Sequence, residues 1–373
     1  MSLSEILIQA TKDGKSYYDI HTDMQDRGIK MTWNKDEQVA IFSVAGISPT
    51  EPLYAQCNGA IYRLSTWELM CQPPAPPQLN YSGDNLDNYT INTISDGTVI
   101  TLYNMDGKWN ISTARAYRAN DMKQAGIDIT YEDALNEVSS IKWEDLDTDT
   151  VYTIGFNHPM FHPFASLKTE SGSWLISATT RDGQTTMPNN TGLPHHEEVS
   201  FTLGDIKKHC AAALTGFYDN GAMDFGYIAS RNNERFIFPS TLLEEIRRTL
   251  YHNSVYNTLR KNPTYNRAEF VAFRAYFIDS LRISFTRLFP QYTGQFNNTG
   301  EFVQKVIMET VAYSTTEKCD PAYLELAQKI HTSISKKIKF TDPDVGSPTK
   351  IITDYVLSDS NILMLYTMYV NTH

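Results

Sequence analysis

The sequence predicts an α+β protein: a mixed, mostly antiparallel β-sheet domain over residues 1–240, followed by an all-α domain over 241–373. Three observations carry this. Across the first two thirds, short runs rich in Val, Ile, Thr and aromatic residues alternate with Gly, Asp, Asn and Pro clusters. Beyond Pro239 the apolar residues recur at spacings of three and four instead. A chain of 373 residues also exceeds the ~100–200 usual for one domain.

Taken in order, the expected strands are QVAIFSVAGI, GAIYRLSTWELMC, GTVITLYN, KWNISTARAY, TVYTIGF, SWLISATT and FGYIASR. The QPPAPP stretch at 72–77 must be a loop, because each proline lacks an N–H and restricts the residue before it. Asp106-Gly107 between two alternating runs predicts a tight hairpin. Ser240 or Thr241 caps a helix that begins LLEEIRR, with acids early and arginines later, as the helix dipole favours. Asn266 to Phe289 predicts one helix, with a buried stripe at Phe270, Phe273, Phe277, Leu281, Phe285 and Leu288. Further helices are expected over 299–314, 321–337 and 350–370, and the chain shows no internal repeat.

Hydrophobic residues at 41% and charged residues at 20% exclude wholesale disorder and collagen-like sequence. No run approaches the ~20 apolar residues that span a bilayer, and Glu5, Lys12 and Lys15 interrupt any signal-like stretch. The chain is expected to be soluble and cytoplasmic, in a host cytoplasm or a virion if it is viral, with no membrane role. Cys57, Cys71, Cys210 and Cys319 lack CxxC spacing, which argues against a disulfide scaffold or a thiolate zinc site.

Thirty-two basic against 43 acidic residues give a net charge of −11, which disfavours a surface that grips nucleic acid throughout. Residues 231–287 nevertheless carry a local excess of +5. On the helix expected there, Arg267, Arg274 and Arg282 fall within ~80° of one another, a strip able to follow phosphates, with Tyr251, Tyr256 and Tyr265 nearby for stacking. The same arginines serve equally in a charge-balanced surface helix.

Other constellations read as structural. His158 and His162 are four apart, but Pro159 and Pro163 forbid the helix that a zinc pair of this spacing needs. His195-His196-Glu197-Glu198 reads as a solvated loop, and Asp121, Asp128, Glu132 and Asp133 lack calcium-loop spacing. There is no Gly-x-Ser-x-Gly elbow and no Gly-x-x-x-x-Gly-Lys loop.

One ordered set of motifs remains: CNGAIYRLSTWELMCQPPAPPQLNY at 57–81, ISDGTVITLYNMDGKWNISTARAY at 94–117, VYTIGFNHPMFHPF at 151–164, WLISATT at 174–180 and DFGYIASRNNERFIFPS at 224–240. In order and spacing it resembles the adenylation domain of phage-type RNA ligases, within the covalent nucleotidyltransferase superfamily. The resemblance covers about residues 45–250; the tail agrees only in being helical. It implies a nucleotidyltransferase-like fold, and a lysine that attacks the α-phosphate of ATP to hold AMP as a phosphoramidate.

Set against those motifs, the nucleophile position of Lys-x-Asp-Gly is Ile94, followed by Asp96 and Gly97. The upstream Arg-Gly is Asn58-Gly59, and Lys-Phe-Phe-Asn resembles Gln78-Leu79-Asn80. The Phe-Glu pair is Ile154-Gly155 before Pro159, Glu-Gly-Tyr-Val is Phe225-Gly226-Tyr227-Ile228 beside Asp224, and Lys-x-Lys is Phe236-Ile237-Phe238. Turn glycines and strand residues such as Lys108-Trp109, Thr113 and Arg115 are kept, whereas the charges that phosphoryl transfer requires are replaced.

The resemblance therefore implies a degenerate, catalytically inactive RNA-ligase-like protein with no catalytic residue, no metal and no cofactor, acting in nucleic-acid binding or as an interaction component, in a large DNA virus or phage. RNA or another nucleic acid, or a protein, is the expected partner. Two alternatives stand beside it: a virion or scaffold protein without a nucleic-acid role, and an active ATP- and Mg-dependent RNA ligase or nucleotidyltransferase with a displaced lysine. The nearest lysines for that role are Lys108, in the hairpin turn, and Lys123.

Overall fold

A computed structural model describes residues 2–44, 52–95, 97–123, 128–161, 171–180, 185–186, 191–195, 198–231, 234–250, 267–316, 318–336, 347–358 and 361–372. The chain divides into two compact units, Met1–Glu244 and Glu245–His373. The division falls inside the helix Thr241–Leu250.

The first unit opens with two helices, α1 (Leu3–Lys12) and α2 (Tyr17–Asp26). Ser2 with Glu5 and Ser16 with Asp19 form reciprocal capping boxes that satisfy the first N–H groups of each. Strands β1 (Ile29–Asn34) and β2 (Val39–Val44) follow, then a short helix α3 (Pro52–Gln56) and strands β3 (Ala60–Arg63) and β4 (Leu69–Cys71). These four strands make one antiparallel sheet in chain order. The single strand expected from GAIYRLSTWELMC is thus two, because the chain turns back at Trp67, in the left-handed region at φ 54°. Both faces of β2 are buried: Ala40 and Phe42 pack with Leu3, Leu7, Ile20 and Met24, whereas Val39 and Ile41 pack with Tyr103 and Val151 of the next sheet. That explains its unbroken apolar run.

Strand β5 (Thr90–Thr93) precedes β6 (Thr98–Met105) and β7 (Lys108–Ser112), and the expected hairpin joins the last two with Met105 opposite Lys108. Asp106 and Gly107 at φ 54° and 79° give the turn its mirror-image hand. The strand expected from KWNISTARAY ends early, because the Thr113 hydroxyl accepts the Arg115 and Ala116 N–H groups and turns the chain. After α4 (Tyr131–Val138) come β8 (Thr150–Asn157), β9 (Gly172–Thr180) and β10 (Thr185–Thr186), completing a second antiparallel sheet of order β10-β9-β8-β6-β7. Ile100, Leu102, Ile154 and Leu175 on one of its faces pack against Ala134 and Leu135 of α4.

Helix α5 (Leu203–Asn220), capped by a Thr202–Asp205 box, leads to β11 (Gly226–Arg231) and β12 (Glu234–Pro239). These strands pair with β5 in a third antiparallel sheet of order β12-β11-β5. Ile91, Tyr227 and Ala229 pack against Leu203 and Ile206 of α5. The α+β fold, with antiparallel sheets followed by helices, is the one the sequence predicts.

The helix in which the division falls is α6 (Thr241–Leu250), and the second unit goes on with the helices α7 (Arg267–Phe277), α8 (Asp279–Leu288), α9 (Thr293–Thr316), α10 (Leu324–Ser335), α11 (Pro348–Val356) and α12 (Ile362–Thr372). Phe270, Phe273, Phe302, Ile330, Ile352 and Tyr366 are among the residues that form its core. The one helix expected over 266–289 is two, because Ile278 is extended, with φ −105° and ψ 103°, before α8 begins. The helix expected over 350–370 is also two. Between them the Asn361 side chain donates to the Tyr355 carbonyl, and polar groups there compete with helical bonding. Among the described residues no helix is long and apolar enough to cross a membrane.

Candidate functional site

The motif positions come together in the first unit by backbone geometry. Segment 94–97 carries the chain from β5 of the third sheet to β6 of the second, and the Ile94 N–H donates to the Gly226 carbonyl at 2.8 Å. Ile94, read from the sequence as the nucleophile position, is thereby tied to Phe225-Gly226. Asp96 lies outside the described residues. The Asn58-Gly59 turn meets the 94–117 segment and the proline loop of its own segment, since a Cβ on Gly59 would stand 3.2 Å from the Ala114 Cα and 3.4 Å from the Pro73 Cγ. The 72–78 loop docks on β12, with the Gln78 N–H donating to Arg235 and the Ile237 N–H to Gln78, each at 2.8 Å.

Gly155, read from the sequence as the glutamate position, has its side-chain space filled from across the sheet. Gly155 on β8 lies opposite Trp174 on β9. A Cβ built on Gly155 would stand 2.3 Å from the indole Cε2 and 2.5 Å from Nε1. A Cβ on Gly97 would stand 2.6 Å from the same ring's Cη2 and 2.6 Å from the Phe156 carbonyl oxygen. Gly155 thus meets the ring, and Gly97 both the ring and a backbone carbonyl, too closely for any side chain. The half-buried indole spans them.

The other replaced positions are equally committed. Phe225 is buried. The neighbouring acid, Asp224, accepts the Gly226 N–H at 2.9 Å and the Tyr227 hydroxyl at 3.1 Å, so it serves the turn. Phe236 and Phe238 project to the α5 side of β12, where Tyr81 lies 4.9 and 5.9 Å from their rings. By the alternation of a strand, Arg235 and Ile237 face the other way. The Arg235 guanidinium donates to the Ala75 carbonyl at 3.1 Å, and burial pulls its pKa down.

The candidates outside this cluster are dispersed. Lys108 is exposed at the hairpin, and Lys123 is ion-paired to Asp128. His158 is buried. Its Nε2 meets Glu137 at 2.9 Å and its Nδ1 accepts the Met160 N–H at 3.2 Å, so both ring nitrogens are engaged, and His162 lies outside the described residues. Asp121 pairs with Arg118, Glu132 accepts from Asn120, and Asp133 donates its N–H to the Thr130 hydroxyl that caps α4 and accepts from that hydroxyl in return.

The basic strip is corrected by the break at Ile278, which puts Arg282 on a different helix from Arg267 and Arg274. Arg274 is buried, at 8% exposure, and donates to the Thr249 carbonyl at 3.3 Å. The Arg282 guanidinium bonds the Tyr276 carbonyl and lies 4.8 Å over that residue's ring. Of Arg267 only the helical backbone is described, and Tyr251, Tyr256 and Tyr265 lie outside the described residues. The three arginines do not form the one-helix strip that their spacing suggests.

Two residues central to this geometry carry no site signal in the sequence. Trp174 looked like an ordinary strand aromatic, and only the register of β8 against β9 sets it over Gly155. Arg235 precedes the Phe-Ile-Phe triplet by one position, and strand alternation alone puts it on the opposite face.

The group implied by the family resemblance is ATP with magnesium, and these residues do not fit it. Ile94 supplies no nucleophile, an indole stands where a Gly155 side chain would go, and the closing motif presents phenylalanines to α5.

No known family profile matches the chain. A protein of African swine fever virus (isolate Tick/South Africa/Pretoriuskop Pr4/1996) named "Putative RNA-ligase" is 21% identical over 355 residues, covering 79% of this chain and 77% of the viral protein. Its namesake from isolate Tick/Malawi/Lil 20-1/1983 is 22% identical over 319 residues, covering 70% of each. Among solved structures, an archaeal ATP-dependent RNA ligase aligns with a TM-score of 0.43 and 12% identity, covering 92% of this chain and 94% of that one. An RNA ligase of Naegleria gruberi aligns with a TM-score of 0.28 and 12% identity, covering 43% and 51%. Motif order and sequence similarity to these viral proteins across most of its length make this an RNA-ligase-like chain.

Proposed function

We propose that this is a catalytically inactive RNA-ligase-like protein of a large DNA virus, kept for binding rather than for nucleotidyl transfer. One observation carries the reading: the positions that hold charge in active relatives hold Ile94, Gly155, Phe225, Phe236 and Phe238, and the space beside Gly155 is taken by Trp174. Nucleotidyl transfer depends on a deprotonated amine and on groups that stabilise phosphate charge, and no rearrangement of hydrocarbon side chains supplies either. The binding role follows from what is kept, namely the turns and strands of the motif segments. A nucleic acid is the partner favoured by the ligase-like framework; Arg267, Arg274 and Arg282 would meet it from two helices and not as one strip.

The test is an RNA-joining assay with 5′-phosphorylated and with pre-adenylated RNA, run beside a filter-binding titration over a range of salt. The expected result is saturable, salt-sensitive binding without joined or adenylated product. Joined product would overturn the inactive reading. Absence of any RNA binding would instead favour an interaction or scaffold role.

A further inference from the structure

We infer that the indole of Trp174 is the built-in occupant of the motif cluster and closes it to nucleotides. The inference rests on the motif reading of residues 94–97 and 155. It adds the claim that this chain excludes the ligand sterically, besides lacking the chemistry to use it.

Two glycines distant in sequence meet one ring. Gly97 ends the Lys-x-Asp-Gly position and Gly155 stands at the glutamate position, and one ring fills the Cβ space of both. Its Nε1 and Cε2 lie at Gly155, and its Cη2 lies at Gly97. The indole therefore bridges from β8 to the segment entering β6. A glutamate at 155 and an indole at 174 are mutually exclusive in this arrangement, because the contacts involve the body of the ring and not a flexible tip. The loss of the carboxylate and the presence of the ring form one steric unit.

The plain alternative is that the aromatic ring only covers a glycine in a sheet, a common stabilising pair. Covering Gly155 alone would satisfy that reading. The reach to Gly97 exceeds it, because Gly97 lies outside the strands and belongs to the segment that holds the nucleophile in active relatives. The ring is also planar and apolar with a single N–H donor, so its removal leaves a slot suited to a planar heterocycle.

The experiment compares full-length wild type, Trp174→Ala and Trp174→Phe by thermal shift with adenosine, ATP with magnesium, and free indole. The expected result is no shift for wild type with any of the three. Trp174→Ala should be stabilised by indole and by adenosine, by about 2–4 °C at ligand concentrations several times Kd. Trp174→Phe controls for folding and should respond less than Trp174→Ala. Saturable stabilisation of wild type by adenosine or ATP would overturn the inference. So would a Trp174→Ala protein that folds and responds to indole but not to adenosine. Should Trp174→Ala fail to fold, wild type decides alone, with energy transfer from tryptophan to a fluorescent ATP analogue as the readout: transfer that saturates in wild type and falls in Trp174→Phe overturns the inference, and its absence supports it. Nucleotide binding by wild type without RNA joining would refute the closure and leave the inactive reading standing, so the two failures are distinguishable.

Discussion

Replacing Gly155 with alanine tests the packing at the heart of this account. In a strand, alanine in place of glycine is ordinarily favourable by about 0.5–1 kcal/mol through backbone entropy. Here the new methyl would lie 2.3 Å from the Trp174 Cε2, so the ring must rotate out or the strands must part. Overpacking of this kind costs about 1–3 kcal/mol, which outweighs the entropic gain. Gly155→Ala should therefore lower stability by about 0.5–2 kcal/mol, or several degrees in the melting of the first unit at ~2–4 °C per kcal/mol. In a Trp174→Ala background the clash is gone and the same substitution should be neutral or stabilising. A double-mutant cycle by differential scanning calorimetry should thus show a coupling of about 1–3 kcal/mol. Additive effects, or a Gly155→Ala protein as stable as wild type, would refute the reasoning.

Other outcomes follow from the same structure. Ile94→Lys alone should not restore covalent nucleotide labelling, because Gly155 and Trp174 remain as they are; a labelled Ile94→Lys protein would show that the cluster is open. Arg274→Ala should destabilise the helical unit by about 1–3 kcal/mol by leaving the Thr249 carbonyl without its buried donor, read by urea denaturation. Burial pushes the thiols of Cys57, Cys71 and Cys210 up to about 12, so at pH 8 only about one in 10⁴ is thiolate, and these three should resist alkylation until the protein unfolds. The Thr202 hydroxyl and N–H hold the Asp205 carboxyl below its usual range. Its depressed folded pKa gives stability that is present above the ordinary value of about 4 and lost as pH falls through the folded one. Asp205→Asn should flatten that part of the melting profile between pH 5 and 2, whereas an unchanged profile would remove Asp205 from the account.

What the sequence made legible depended on how local the cause was. The Asp106-Gly107 hairpin and the 72–77 loop are dictated by neighbouring residues, and both are present in the fold. The helices α1, α2, α4 and α5 were missed within a region read as strands. Their signals were local too, since Ser2-x-x-Glu5, Ser16-x-x-Asp19, Thr130-x-x-Asp133 and Thr202-x-x-Asp205 all place a hydroxyl cap three residues before an acid. The breaks at Ile278 and before Asn361 were hidden because the apolar spacing runs on across them. Helical periodicity reports which face is buried, and it says little about where the backbone stops. The site divides in the same way: replaced charges were visible one residue at a time, whereas the meeting of Trp174 with Gly97 and Gly155 depends on strand register and a connection between sheets.

The most direct measurement of the central claim is the intact mass of folded wild-type protein after incubation with ATP, and separately GTP, with magnesium or manganese. The mass should be unchanged, because position 94 has no amine and the Trp174 indole takes the Cβ space of Gly97 and Gly155. A mass increased by one AMP or GMP, mapped to any lysine of the chain, would contradict it.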